Sequence, residues 1–265
     1  MTKYALIIEY VGSRYSGWQR QHHSPSVQEE IEKALSAVAD DAITIVASGR
    51  TDAGVHAYAQ CAHFETDKKR DNKAWVLGVN AKLPPDISIR SVTRVGSDFH
   101  ARYSTIGRSY RYLILNRSSR SALMHQRVSV IYQPLDTDRM NVAAQSLVGE
   151  HDFTSFRAAG CQAKHAVREI RSVSVQRYNE QVQIEVVGNA FLHNMIRIIA
   201  GSLIRVGSGL ESESWLGDVL LARDRTRAGV TAVPHGLYFM GPDYAPEFRI
   251  PDWRDGLPAG PFVVA

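Results

Sequence analysis

The segment Gly49-Arg50-Thr51-Asp52-Ala53-Gly54-Val55-His56 places an acid, a guanidinium and an imidazole within one short loop between two apolar runs. Its chemistry has two readings. Asp52 can serve as a nucleophile on a loop braced by strands, or it can accept backbone N–H bonds in an ordinary glycine-rich turn. A phosphate-cradling P-loop is excluded, because no Gly-Lys-Ser/Thr follows. Retaining glycoside hydrolysis needs a second carboxylate ~5–5.5 Å from the first, and the loop supplies none. His56, His63, His193 and His235 lack metal-ligand spacing and there are no paired cysteines, so no metal site is expected. Cys61 reads as a small core residue rather than a nucleophile.

A second cluster lies further on. From Phe99 to Leu135 there is no Asp, Glu or Lys, yet Arg102, Arg108, Arg111, Arg117, Arg120 and Arg127 fall there, interleaved with Tyr103, Tyr110 and Tyr112. Guanidinium forks suit phosphates and tyrosine rings stack on bases, so this run fits an RNA-facing surface. An arginine-rich solvated strand and loop is the plainer alternative. The loop from Val11 to Pro25, with Arg14, Trp18, Arg20, His22 and His23, is a further candidate for RNA contact.

Elements must hold these residues in place. Tyr4, Leu6, Ile8 and Tyr10 alternate in a first strand, Lys3–Tyr10. Ser26 opens a helix with Glu29 as a capping-box partner, and Val27, Ile31, Leu35 and Val38 follow at helical spacing. Strands at 43–48 and 58–64, a helix at 74–80 and a strand at 87–95 complete a β-α-β-β-α-β order. The second half repeats it. A strand carries Tyr110, Tyr112 and Ile114, and a helix through Met140 and Leu147 stops at Gly149. A hairpin turns at Asn179-Glu180. A strongly apolar helix is expected over 190–206, then a short helix at 215–222 and a last strand at 237–240. Two split β-α-β units predict an α+β protein of two ferredoxin-like domains with mainly antiparallel sheets, 1–105 and 106–265.

Composition agrees with a folded chain. The 265 residues are 44% hydrophobic and 22% charged with a net charge of +4, which is ordinary globular usage. Apolar runs are too short for a membrane span of ~20 residues. The Met1-Thr2-Lys3 start leads into no secretory segment. Cys61 and Cys161 cannot build a disulfide framework. A reduced, cytoplasmic protein without membrane contact is expected.

The string Ala47-Ser48-Gly49-Arg50-Thr51-Asp52-Ala53-Gly54-Val55-His56-Ala57 resembles the signature of the tRNA pseudouridine synthase A family. Further blocks match in the same order along nearly the whole chain. They include Gly17-Trp18-Gln19-Arg20-Gln21, Asp98-Phe99-His100-Ala101-Arg102, Arg108-Ser109-Tyr110-Arg111-Tyr112, Asp152-Phe153-Thr154-Ser155-Phe156-Arg157, the run from Asn189 to Arg197, and Gly236-Leu237-Tyr238. The resemblance implies a homodimer with a basic cleft between the domains, acting on uridines 38, 39 and 40 of the tRNA anticodon stem-loop. It implies that Asp52 is the catalytic aspartate, Arg197 its partner, Tyr110 the ring on the target uracil and Arg50 the arginine that turns the base out. Leu237 is expected to line the uracil pocket, and Arg14, Trp18, Arg20, His56, Arg102, Arg108 and Arg111 to contact RNA. Moving uracil from an N1 to a C5 linkage balances within one nucleotide, so no cofactor is expected. The carboxylate's target (C1′, C6 or a glycal route) stays open, as does the choice between base and stacking platform for Tyr110. A non-catalytic RNA-binding protein would explain the arginines and tyrosines but not the carboxylate beside Arg50.

Overall fold

The computed structural model describes residues 1–252 and 254. They form a mixed α+β structure with largely antiparallel strand pairing, dividing into two compact units. Among the described residues, the first unit comprises 1–107 together with 239–252 and 254, and the second contains 108–238.

In the first unit, β1 (Thr2–Tyr10) pairs antiparallel with both β3 (His56–Thr66) and β4 (Ile87–Val95). The two-residue β2 (Val46–Ala47) pairs with β3. Two helices, α1 (Val27–Ala39) and α2 (Asn72–Asn80), connect them. As the capping pattern predicts, Ser26 accepts the Glu29 N–H at the start of α1. Alternation along β1 buries Leu6 and Ile8 completely, and Tyr4 packs with Phe64 and Trp75 in an aromatic cluster.

The second unit is built on β5 (Thr105–Asn116), β6 (Ser129–Ile131), α3 (Thr137–Ala144), β7 (Gly149–Asp152), β8 (Val167–Tyr178), β9 (Gln181–Gly188), α4 (Met195–Gly207) and α5 (Trp215–Ala222). Strand order runs β5-β9-β8-β7, with β6 lying parallel on β5. The β8–β9 hairpin turns at Asn179, whose φ is +54°.

Four expectations change. The helix anticipated from residue 190 begins at Met195, because Asn194 adopts a left-handed conformation (φ +60°) that an α-helix cannot propagate through. The strand expected over 43–48 is reduced to β2. The last strand, β10 (Leu237–Tyr244), is longer than expected, and the chain does not stay in the second unit after residue 106. From Phe239 onward it returns to the first unit, where β10 lies beside β3 and Tyr244, Phe248 and Ile250 pack against the core of Cys61, Phe99 and Ala101. The part of the second expected domain beyond residue 254 lies outside the described residues.

Candidate active site

The Asp52 loop is fixed from several directions. On its upstream side, Ser48 donates through its hydroxyl to Gln60 Oε1, and Gln60 Nε2 donates to the Gly49 carbonyl. The Tyr10 and Thr51 hydroxyls share a buried hydrogen bond of 2.7 Å. The Trp18 N–H donates to the Thr51 carbonyl, and Val55 N–H closes a turn onto the Asp52 carbonyl. Gly17, at φ +101°, passes so close that a Cβ there would lie 2.7 Å from the Thr51 oxygen. Asp52 itself is half-buried at the crest of this turn and Arg50 is exposed.

Two residues expected to meet RNA belong instead to that scaffold. Trp18 is only 2% exposed and its ring packs against Tyr10. His56 is buried, and its Nδ1 accepts the Gly12 N–H at 3.0 Å. Their place in the sequence pattern is explained by holding the aspartate loop rather than by touching a ligand. Arg20 projects toward solvent but is ion-paired to the buried Glu32, whose other carboxylate oxygen accepts the Ile45 N–H. Arg14 is exposed and lies 3.4 Å from Asp86, and Arg102 is exposed.

In the second unit, two connecting segments gather the candidates. The first runs from residue 189 to 194. Arg108 donates to the Asn189 carbonyl at 3.1 Å, the half-buried Tyr110 ring meets Phe191 edge-on at 5.2 Å, and Arg197 Nη1 donates to Asn194 Oδ1 at 2.8 Å. The second, 228–236, runs along α4. Arg197 Nε donates to the Ala232 carbonyl at 2.7 Å, and the Ala232 N–H donates back to the Arg197 carbonyl. Gly201 permits this approach, since a Cβ there would lie 1.9 Å from the Val230 oxygen. Arg197 is therefore a half-buried guanidinium held by two acceptors. Leu237, buried, follows this connector directly.

Asn194 and Ala232 were not singled out by sequence. A pattern signal exists only for Asn194, since asparagine tolerates the left-handed region that ends the connector. Tyr112 is core, its hydroxyl donating to the Val233 carbonyl while burial pushes its pKa up to about 12. Arg111, expected to contact RNA, is buried and directs Nε and Nη2 to Glu185 Oε1 at 2.9 and 2.6 Å across the β5–β9 ladder. The cause is register: Arg111 and Glu185 sit directly opposite, and a guanidinium desolvated on a sheet face needs a charge beside it.

Electrostatics fit these placements. Complete burial pushes the Cys61 thiol up to about 12, which removes it as a nucleophile. Burial, then the charges of His125 and Arg197, hold His235 below the ordinary histidine range. A cavity of about 640 Å³ in the second unit is walled by Val128, Ile131, Ile204, Val230, Ala232 and His235, with Arg120 of the arginine-rich run also on its lining. Among the described residues, no group of three or more His, Cys, Asp or Glu side chains is placed to hold a metal ion, and no helix is long and apolar enough to cross a membrane.

Residues 6–104 and 143–245 match the family model described as tRNA pseudouridine synthase, and the chain belongs to that family, whose members are isomerases. It is similar to a protein named tRNA pseudouridine synthase A from Klebsiella pneumoniae subsp. pneumoniae, 50% identical over 263 residues that cover 99% of this chain and 96% of the relative. A protein of the same name from Xanthomonas oryzae pv. oryzae is 49% identical over 251 residues, covering 94% and 98%.

Proposed function

We propose that this protein converts uridines 38, 39 and 40 of the tRNA anticodon stem-loop to pseudouridine, with Asp52 as the nucleophile. The observation that carries this reading is the seat of Asp52. A half-buried carboxylate stands on a turn whose flanking residues are tied by the Tyr10 hydroxyl on the Thr51 side chain and by Trp18 and Gln60 on the Thr51 and Gly49 carbonyls, so it can be aimed without reorganisation. In the reaction the N1–C1′ bond breaks, uracil rotates, and a C5–C1′ bond forms. The C5 proton leaves and N1 gains one, so atoms and electrons balance within one nucleotide. That balance calls for neither a redox cofactor nor a metal.

The target base must leave its stack to meet the carboxylate, and Arg50, exposed on the same loop, is suited to occupy the space it vacates. Tyr110, held edge-on by Phe191, offers its ring to the uracil, with Leu237 as an apolar wall. Arg197 pairs with Asp52 in this reading, its other donors already committed to Ala232 and Asn194. Arg14, Arg20, Arg102 and Arg108 contact phosphates, and the working unit is a cytoplasmic homodimer. Nucleoside analysis of tRNA incubated with the protein tests the reading. Loss of uridine at 38–40 with equal gain of pseudouridine, unchanged by EDTA, is expected for the wild type. Asp52→Ala should bind tRNA and convert none of it, and turnover above trace would remove Asp52 from its role.

A further inference from the structure

We propose that Tyr103 is a stacking platform for an unpaired nucleobase of the RNA substrate, a site that rests on the tRNA-modifying reading and extends its contact surface. Three tyrosines, Tyr103, Tyr110 and Tyr112, are interleaved with the arginines between Arg102 and Arg127, and the structure treats them differently. Tyr112 is core, Tyr110 is half-buried against Phe191, and Tyr103 is 77% exposed. An exposed tyrosine ordinarily keeps its rotamer freedom, but this one is held. Its ring stacks on His100 at 4.2 Å with 26° between planes. His100 is fixed in turn, because its Nδ1 accepts the N–H groups of both Arg102 and Tyr103 at 3.2 Å, and its ring meets the buried His63 at 4.8 Å.

The turn beneath is closed by four further bonds. Ser104 N–H donates to the His100 carbonyl, His100 N–H to Ser104 Oγ, Thr105 Oγ1 to the Ala101 carbonyl, and Ala101 N–H to His63 Nδ1. The ring is thus ordered before any ligand arrives, so little side-chain entropy is lost on binding. Beside it, the Arg102 guanidinium lies 5.8 Å from the ring centroid. A preordered π-face with an adjacent exposed cation matches a nucleotide, whose base stacks while its phosphate meets the arginine. Base–aromatic stacking is worth ~1–3 kcal/mol, or roughly 5- to 150-fold in affinity.

The test is binding of an unmodified anticodon stem-loop transcript to wild type, Tyr103→Leu, Tyr103→Phe and Arg102→Ala across a salt series. Tyr103→Leu should bind roughly 5- to 150-fold more weakly with an unchanged salt slope and unfolding midpoint, while Tyr103→Phe stays near wild type. Arg102→Ala should lower the log–log slope by about 0.7–0.9. A Leu variant binding as tightly as wild type overturns the platform. So does a loss of affinity that appears only with a changed oligomeric state on sizing chromatography, which would make Tyr103 a protein contact. A wild type that binds no transcript overturns the functional reading itself, and the platform with it.

Discussion

The Tyr10 hydroxyl, at the end of β1, reaches the Thr51 hydroxyl at 2.7 Å, one residue before Asp52. This bond ties β1 to the residue that precedes the candidate nucleophile. Removing it with Tyr10→Phe leaves a buried Thr51 oxygen poorly satisfied and should cost about 1–3 kcal/mol of stability. Turnover should fall while tRNA affinity holds, because the turn carrying Asp52 loses a tether and the arginines proposed to meet phosphate lose nothing. A double-mutant cycle with Thr51→Val, read by urea unfolding, should give a coupling of about 1 kcal/mol. Strictly additive effects would show that the two hydroxyls do not support one another.

The arginines of the central run should separate into two kinds. Arg102 is exposed, so its loss should lower the salt dependence of tRNA binding by about 0.7–0.9 in log–log slope. Arg111 is buried against Glu185, so Arg111→Ala should leave that slope unchanged. It should instead lower stability by about 1–2 kcal/mol, the worth of charge-assisted hydrogen bonds whose acceptor keeps access to water. Filter binding at several salt concentrations and urea unfolding of the same proteins check both halves. A reduced slope for Arg111→Ala would mean that the pair opens to meet phosphate.

Arg197 divides its donors between the Ala232 carbonyl and Asn194 Oδ1. A lysine ammonium is a single point and cannot span both. Arg197→Lys should therefore lose about 1–2 kcal/mol of stability and a share of turnover, with tRNA affinity preserved. Because the charge is kept, its rate–pH profile in single-turnover experiments should have the wild-type shape at a lower plateau. Wild-type rates in Arg197→Lys would show that the fork geometry is dispensable.

How far these features were legible in the sequence depends on how local their causes are. The β1 alternation, the Ser26 cap and the β8–β9 turn at Asn179 follow from neighbouring residues and stand as read. The three-residue β6 has no local signal, because its pairing to β5 is parallel and long-range. The late start of α4 turns on one backbone angle at Asn194, which the continuous apolar pattern from Leu192 hides. Asp52 stood out as a residue type in a loop. That Trp18 and His56 brace the loop could not be read locally, since their partners Tyr10, Thr51 and Gly12 come together only through the tertiary fold.

His63 makes stability depend on pH below neutrality. It is 7% exposed, its Nδ1 accepts the Ala101 N–H, and burial, then the charges of His100 and Lys3, push its pKa down to about 4. An unfolded histidine titrates near ~6.5. Between these values the unfolded chain takes up a proton that the folded protein refuses. The contribution of neutral His63 is therefore fully present above pH ~6.5 and is lost as pH falls toward about 4. At pH ~4.5 the loss amounts to about 2–3 kcal/mol as an upper bound. His63→Gln keeps an oxygen able to accept the Ala101 N–H and removes the titration. The variant should be less stable than wild type at pH ~7, because packing against Phe99 and His100 is disturbed. The gap should narrow or reverse by pH ~4.5. Urea unfolding of both proteins at pH ~7, ~5.5 and ~4.5 measures it, and a gap that stays constant across that range would show that His63 accepts its proton in the folded state as readily as in the unfolded one.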